Sequence, residues 1–271
     1  MSQTAASAPQ DADLDPRQPR RQRHEPKRRR LDVVAVDKIT PHMVRVTVGG
    51  AELAGFTSHG FDDHVKLFFP EVEPTEVDSN GAPKPVSRDY TPRRYDANAN
   101  ILEIDFALHD AGPATQWASQ VRPGQVLNIG GPRGSLIIPT CYDWHLLVGD
   151  DTALPAIGRR LSELSAGAKA VVVAEVDAKA DEMTFDSAAD VSVTWVHRNG
   201  AEVGSTDLLS RALRAQRLPA GDYYAWVACE SLTAKALRAQ LIAENGANPK
   251  WLRAAGYWRR GAVAVHDTFN D

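Results

Sequence analysis

WHLLVGDDTALPAIGRRLSEL, Trp144 to Leu164, is the stretch on which the architecture turns. It reads as an almost continuous apolar strand, a polar turn and an amphipathic helix. Apolar strands that alternate with helices point to a parallel sheet covered on both faces. The same alternation runs downstream through AKAVVVAEV (Ala168 to Val176), VSVTWVHR, TDLLSRALRAQ, YYAWVACE and SLTAKALRAQLIAEN. KWLRAAGYWRRG then supplies a last strand and an arginine-rich end. Residues 141–271 are therefore predicted to form an α/β domain.

Upstream the pattern differs. LDVVAVDKITPHMVRVTVGG, from Leu31, is two β-branched runs about a Thr-Pro turn, and HVKLFFP, ILEIDFALH and VRPGQVLNIGGPRGSLIIP continue as short strands between turn signals. That spacing predicts an antiparallel β-barrel over 31–140. Glu71 to Lys84 reads as a loop. Residues 1–30 hold eight Arg or Lys against four Asp or Glu and almost no large apolar side chain, so they are predicted to be a disordered basic tail. The rest of the chain is acidic, against an overall net charge of −4, which argues against nucleic-acid binding. No apolar run approaches the ~20 residues of a membrane span. The amino terminus has no secretory pattern, and Cys141 and Cys229 offer neither a disulfide framework nor metal-ligand spacing. A cytoplasmic monomer with no bound metal is expected.

The stretch most charged with chemistry is PVSRDYTPRRY, Pro85 to Tyr95. In an extended segment Arg88 and Tyr90 share one face while Asp89 and Thr91 share the other, and Pro92 ends ladder pairing. A cation, a flat ring and a hydroxyl on a rigid edge suit a ligand with a phosphate and a planar, hydrogen-bonding ring system, such as a flavin nucleotide. Further on, Gly112 and Pro113 open a helix whose free N–H groups suit an anion.

HVKLFFP, SRDYTPR, DFALHDAGPATQWA, GPRGS, LLVGDDTALPAI, WVACES and GYWRRG, taken in this order, resemble the signatures of the siderophore-interacting proteins. These are FAD-dependent ferric-siderophore reductases of the ferredoxin-reductase superfamily, and the resemblance covers about Leu31 to Gly261. It implies a flavin β-barrel followed by an NAD(P)H-binding-like α/β domain. It also implies FAD held by Arg88, Tyr90 and Thr91, with His109, Gly112, Pro113 and Ala114 along the ribityl and phosphate region. Asp151, Thr152 and Ala153 look like the adenine end. Lys66, Arg133, Arg259 and Arg260 match basic positions expected to flank an anionic ferric siderophore. NADH, NADPH or reduced ferredoxin would supply electrons to the flavin, so no catalytic residue beyond the flavin is expected.

Two departures stand out. The turn GDDTALP carries a single glycine, Gly149, and two carboxylates that would repel a dinucleotide pyrophosphate. Cys229 occupies a position where related chains often have glycine. Two other readings use the same residues: a reductase of the same superfamily with another acceptor, such as flavin, and a non-catalytic siderophore-binding module.

Overall fold

The computed structural model describes residues 15–69, 77, 80–109, 112–262 and 267–269; the first fourteen residues and most of the predicted 71–84 loop lie outside them. The first half contains β1 (Arg20–Arg23), β2 (Arg28–Thr40), β3 (Met43–Gly49), β4 (Val65–Phe68), β5 (Ser87–Tyr90), β6 (Arg94–Asp96) and β7 (Ile101–Ala107). Helix α1 (Pro113–Gln120), β8 (Val126–Gly130) and β9 (Gly134–Ile137) complete it. Seven of these strands form one antiparallel sheet in the order β5-β4-β8-β2-β3-β7-β6. Its two edge strands, β5 and β6, are consecutive in sequence and separated only by Thr91, Pro92 and Arg93. Four Cα steps span at most about 15 Å. A flat seven-stranded sheet would hold its edges about 29 Å apart. The sheet must therefore curl into the expected barrel, around a core that includes Leu31, Val46, Leu67, Ile104, Phe106 and Leu127.

The predicted disorder of residues 15–30 is corrected. Strand β1 pairs antiparallel with β9, Arg20 opposite Ile137, and β2 begins at Arg28 rather than Leu31. Arg29 is buried, donating to the Glu52 carbonyl at 2.9 Å and lying over the Phe56 ring. Composition measures the apolar area a segment can bury; it does not register an arm held by backbone pairing and arginine contacts.

The second half contains β10 (Trp144–Gly149), α2 (Leu154–Glu163), β11 (Lys169–Val176), β12 (Asp190–His197), α3 (Leu208–Ala215), β13 (Tyr223–Glu230) and α4 (Ser231–Glu244). Strands β14 (Leu252–Trp258) and β15 (Asp267–Phe269) follow. The sheet order is β12-β11-β10-β13-β14-β15, parallel except for the edge strand β15. Helices α3 and α4 cover one face through Leu209, Leu213, Leu237 and Leu241. The other face packs on α2 and also on Met43, Phe61 and Ala107 from the barrel half, so the halves share a core.

Polar pins cross the same seam. Buried Arg159 donates to the Ser58 and Pro92 carbonyls at 2.8 and 2.9 Å, and Arg253 meets Asp62 at 2.6 Å. His42 Nδ1 lies 3.0 Å from Asp181 Oδ1. With Asp177 these two form a trio whose ligand-type atoms lie within 4.8 Å of one another, which no sequence spacing reveals. Backbone N–H groups of His42, Ala178 and Gly200 already occupy its carboxylates, so the trio acts as a pin between loops. Among the described residues, no helix is long and apolar enough to cross a membrane.

Candidate functional site

Strand β5 places the R-x-Y-T residues on the barrel edge that faces the second half. Val65 and Leu67 of β4, both fully buried, stand opposite Tyr90 and Arg88, so these two side chains lie on the inward face. The half-buried Tyr90 ring meets Phe106 of β7 at 4.4 Å between centroids, and Phe106 in turn meets Trp117 of α1 at 5.5 Å. Trp117 is thus part of the barrel's aromatic packing. Arg88 donates to the neighbouring Ser87 carbonyl at 2.8 Å. Arg93 turns into the seam, its guanidinium packed where a side chain on Gly158 of α2 would stand.

Thr91 is buried and hydrogen-bonded to Tyr257 of β14. This contact joins the barrel edge to the second sheet. Burial and nearby Asp62 push the Tyr257 hydroxyl up, so it stays protonated. Asp62 is fixed by Arg253 and by the Trp226 indole N–H at 3.3 Å. Neither Tyr257 nor Asp62 carries a local sequence signal for this role, because their partners are remote in the chain.

A second group gathers at the carboxyl ends of the parallel strands. Strand order reverses between β10 and β13, where α/β sheets open a ligand crevice. Here Asp150 accepts from Thr152 N–H at 3.0 Å and from Trp258 Nε1–H at 2.9 Å. Burial and Asp151 push the Asp150 carboxyl up, while the hydrogen bonds from Thr152 and Trp258 and then the nearby His109 oppose the rise. Asp151 receives two hydrogen bonds from Arg198, each 3.0 Å, and Glu175 lies 3.7 Å from the same guanidinium. The turn is therefore not two bare carboxylates: Asp151 shares the Arg198 guanidinium with Glu175, and Asp150 is capped by neutral donors. Gly149 also has a structural reason, since a Cβ there would come within 2.3 Å of the Ala153 Cβ and 2.5 Å of the Ala228 carbonyl.

The side chains of the implied adenine-end residues are largely engaged by the fold. Ala153 is fully buried and packs under Gly149, and both Asp151 oxygens are engaged by Arg198. Thr152 is half-buried and bonded to Asp150. Cys229 lies in the sheet core, its thiol pushed well up by burial.

The cationic positions separate into two groups. Lys66 pairs with Asp89 across β4 and β5, 2.8 Å apart, on the opposite face from Arg88 and Tyr90. Arg133 is exposed just beyond β8, the strand whose Gly130 stands opposite Lys66. Arg259 and Arg260, after β14, meet Asp267 at 2.7 Å and Glu202 at 3.7 Å. No contact joins the two groups among the described residues.

The residues fit a flavin dinucleotide at this edge. The buried Nε2 of His109 has no partner, and a Cβ on Gly112 would meet nothing within 4 Å. Gly112 opens α1 without a side-chain cap, followed by Pro113 and buried Ala114, so the first N–H groups of the helix remain available.

Comparison with known proteins accords with this geometry. The siderophore-interacting FAD-binding domain matches residues 32–136, and the siderophore-interacting protein family matches residues 142–261. The NADPH-dependent ferric-chelate reductase of Escherichia coli is 38% identical over 255 residues, covering 90% of this chain and 97% of that protein. The chain belongs to the siderophore-interacting protein family. A second relative, the ferric vibriobactin reductase of Vibrio cholerae, is 33% identical over 245 residues, covering 86% of this chain and 90% of its own length. The crystal structure of a siderophore utilization protein from T. fusca superposes with a TM-score of 0.84 at 40% identity, covering 91% of this chain and 98% of that one.

Proposed function

We propose that this chain is an FAD-dependent ferric-siderophore reductase that draws electrons from NADPH, with residues 31–140 carrying the flavin and 141–271 the donor. The observation that carries the reading is the Thr91–Tyr257 contact, which sets the R-x-Y-T edge of the flavin-family barrel against the parallel sheet. Arg88, Tyr90 and Thr91 would hold the cofactor with His109 and the Gly112–Pro113–Ala114 helix start. Bound FAD would supply the conversion of a two-electron hydride into single electrons for two ferric ions.

The protein's part is to bind, orient and exclude water. Arg88 offers cationic N–H groups to a phosphate, and the hydroxyl pair of Thr91 and Tyr257 offers fixed donors and acceptors at a dry seam. Lys66 and Arg133 on one side, and Arg259 and Arg260 on the other, supply positive charge for an anionic ferric chelate. Ferric iron is substrate here: oxygen ligands hold Fe(III) far more tightly than Fe(II), so reduction is release. The Arg198 pairing of Asp151 and the hydrogen bonds to Asp150 lower the charge barrier to NADPH in the crevice. NADPH is a cytoplasmic reductant, which supports iron release in the cytoplasm.

An anaerobic absorbance titration tests this. The flavin-loaded protein is mixed with a ferric catecholate siderophore and then with NADPH, NADH or reduced ferredoxin in parallel. Bleaching of the flavin band by NADPH and its recovery as the ferric complex is consumed is the expected result. Bleaching without recovery against iron would sink the substrate, and a protein that fails to take up FAD would sink the whole reading.

A further inference from the structure

One residue beyond Tyr257, the last side chain of β14 reaches across the sheet. Strand order runs β10-β13-β14, and the register sets Trp258, the last residue of β14, beside Glu230, the last of β13. Asp150 follows the last residue of β10, two strands away, which is about 10 Å across the sheet. The Trp258 indole closes that distance: its Nε1–H donates to Asp150 at 2.9 Å. The ring therefore lies over the carboxyl end of β13, at the reversal between β10 and β13 where α/β sheets take their ligands.

Its surroundings hold it there. A Cβ on Gly204 would stand 3.0 Å from Cη2 of the Trp258 ring and 2.9 Å from Glu230 Cγ, so the loop between β12 and α3 packs on the indole. That loop is tied down on both sides of Gly204: Glu202 meets Arg260 at 3.7 Å, and the Thr206 hydroxyl donates to Glu175 at 3.2 Å. The Ser231 hydroxyl donates to the Trp258 carbonyl at 3.1 Å and fixes the backbone. Yet the indole stays half-buried, whereas Trp144 and Trp226 of the same sheet are 1% and 0% exposed. Those two are sealed in the core; the Trp258 ring keeps a side on solvent, into which it can turn.

The chemistry of the contact identifies what takes its place. Asp150 is 2% exposed, and one of its oxygens is held by Thr152. The other accepts a single N–H carried by a flat ring. Nicotinamide is a flat ring that carries a carboxamide N–H. Exchange of one neutral donor for the other keeps the buried carboxyl satisfied, whereas a ligand with no donor at that point leaves it bare, which costs free energy.

We propose that Trp258 gates the donor site: its indole holds the place of the nicotinamide ring in the free protein, and the carboxamide of the arriving dinucleotide displaces it from Asp150. The inference rests on the reading that NADPH binds in this crevice. Asp150 is then a ligand of the donor and Trp258 its competitor. A closed gate weakens the apparent affinity by the fraction of molecules that stand open.

The test uses the full-length, flavin-loaded protein and NADP+, which binds without reducing the flavin. Tryptophan is replaced throughout by fluorotryptophan, and the fluorine resonance missing from Trp258→Phe is that of Trp258. Saturating NADP+ moves this resonance toward the position of a solvent-exposed ring. Trp258→Phe keeps a ring but has no N–H for Asp150, so it binds NADP+ about fivefold more tightly by calorimetry. The acetylpyridine analogue of NADP+, in which a methyl replaces the carboxamide nitrogen, binds the parent about tenfold more weakly than NADP+ itself. The inference is overturned by a Trp258 resonance that bound NADP+ leaves in place, by an NADP+ affinity in Trp258→Phe equal to or below the parent's, or by equal affinity for the two dinucleotides. If NADPH bleaches the flavin and any of these results appears, the gate alone falls; if neither NADP+ nor NADPH binds, the donor reading falls with it.

Discussion

Replacing Arg198 with methionine removes one guanidinium from the middle of three carboxylates. Arg198 is 5% exposed at its side chain, donates two 3.0 Å hydrogen bonds to Asp151 and lies 3.7 Å from Glu175. Asp150 stands in the same cluster and raises Glu175 through its charge. Stripping the cation from a buried pair costs about 3–5 kcal/mol, because the partner charge stays behind unpaired. At about 2–4 °C per kcal/mol for a protein approaching this size, the Tm of Arg198→Met falls by roughly 10 °C at pH 8.

The pH dependence has a definite sign. Burial, with Asp150 second, pushes Glu175 from its ordinary 4.5 up to about 7, with Arg198 opposing the rise. The folded state therefore binds a proton that the unfolded chain has already lost. That contribution to stability is fully present below about pH 4.5 and is lost as the pH rises through about 7. Without Arg198, which opposes the rise, Glu175 moves higher still, so acid relieves more of the variant's burden than of the parent's. The deficit measured by urea unfolding and tryptophan fluorescence should shrink clearly between pH 8 and pH 5.5. A deficit below about 1 kcal/mol at pH 8, or one equal at both pH values, would refute the assignment of Arg198 as the charge that holds this cluster.

Three further outcomes follow from the geometry. Lys66→Ala raises the KM for an anionic ferric siderophore on the order of tenfold and leaves flavin content intact, because Lys66 faces away from Arg88 and Tyr90; flavin loss would remove it from the substrate side. Arg88→Ala lowers FAD occupancy, measured by absorbance of the protein as purified and after reconstitution, and undiminished occupancy would take Arg88 out of the cofactor site. Gly149→Ala destabilises by about 1–3 kcal/mol or more in thermal melts, because its methyl meets Ala153 and the Ala228 carbonyl; an unchanged Tm would show that the strand end can give way.

Much of the fold was legible because its signals are local. The apolar run at Trp144, the helix behind it and the alternation through β14 declare a parallel sheet, and β-branched runs between turns declare the antiparallel half. The R-x-Y-T segment read as an edge strand stopped by Pro92, which is how β5 ends. The arm was misread because its order comes from pairing with β9, over a hundred residues on, and no composition window spans that distance.

The sequence by itself determined the element types, the two-part organisation and, through seven ordered signatures, the family. Those properties rest on periodicity and on residues close together in the chain. Only the tertiary structure decided the curl that brings β5 and β6 together, the Thr91–Tyr257 contact, and the state of the Asp150–Asp151 turn. Two adjacent carboxylates look repulsive in sequence. Arg198, 47 residues on, offsets one of those charges, because electrostatic energy depends on separation in space and on burial, neither of which the order of residues contains.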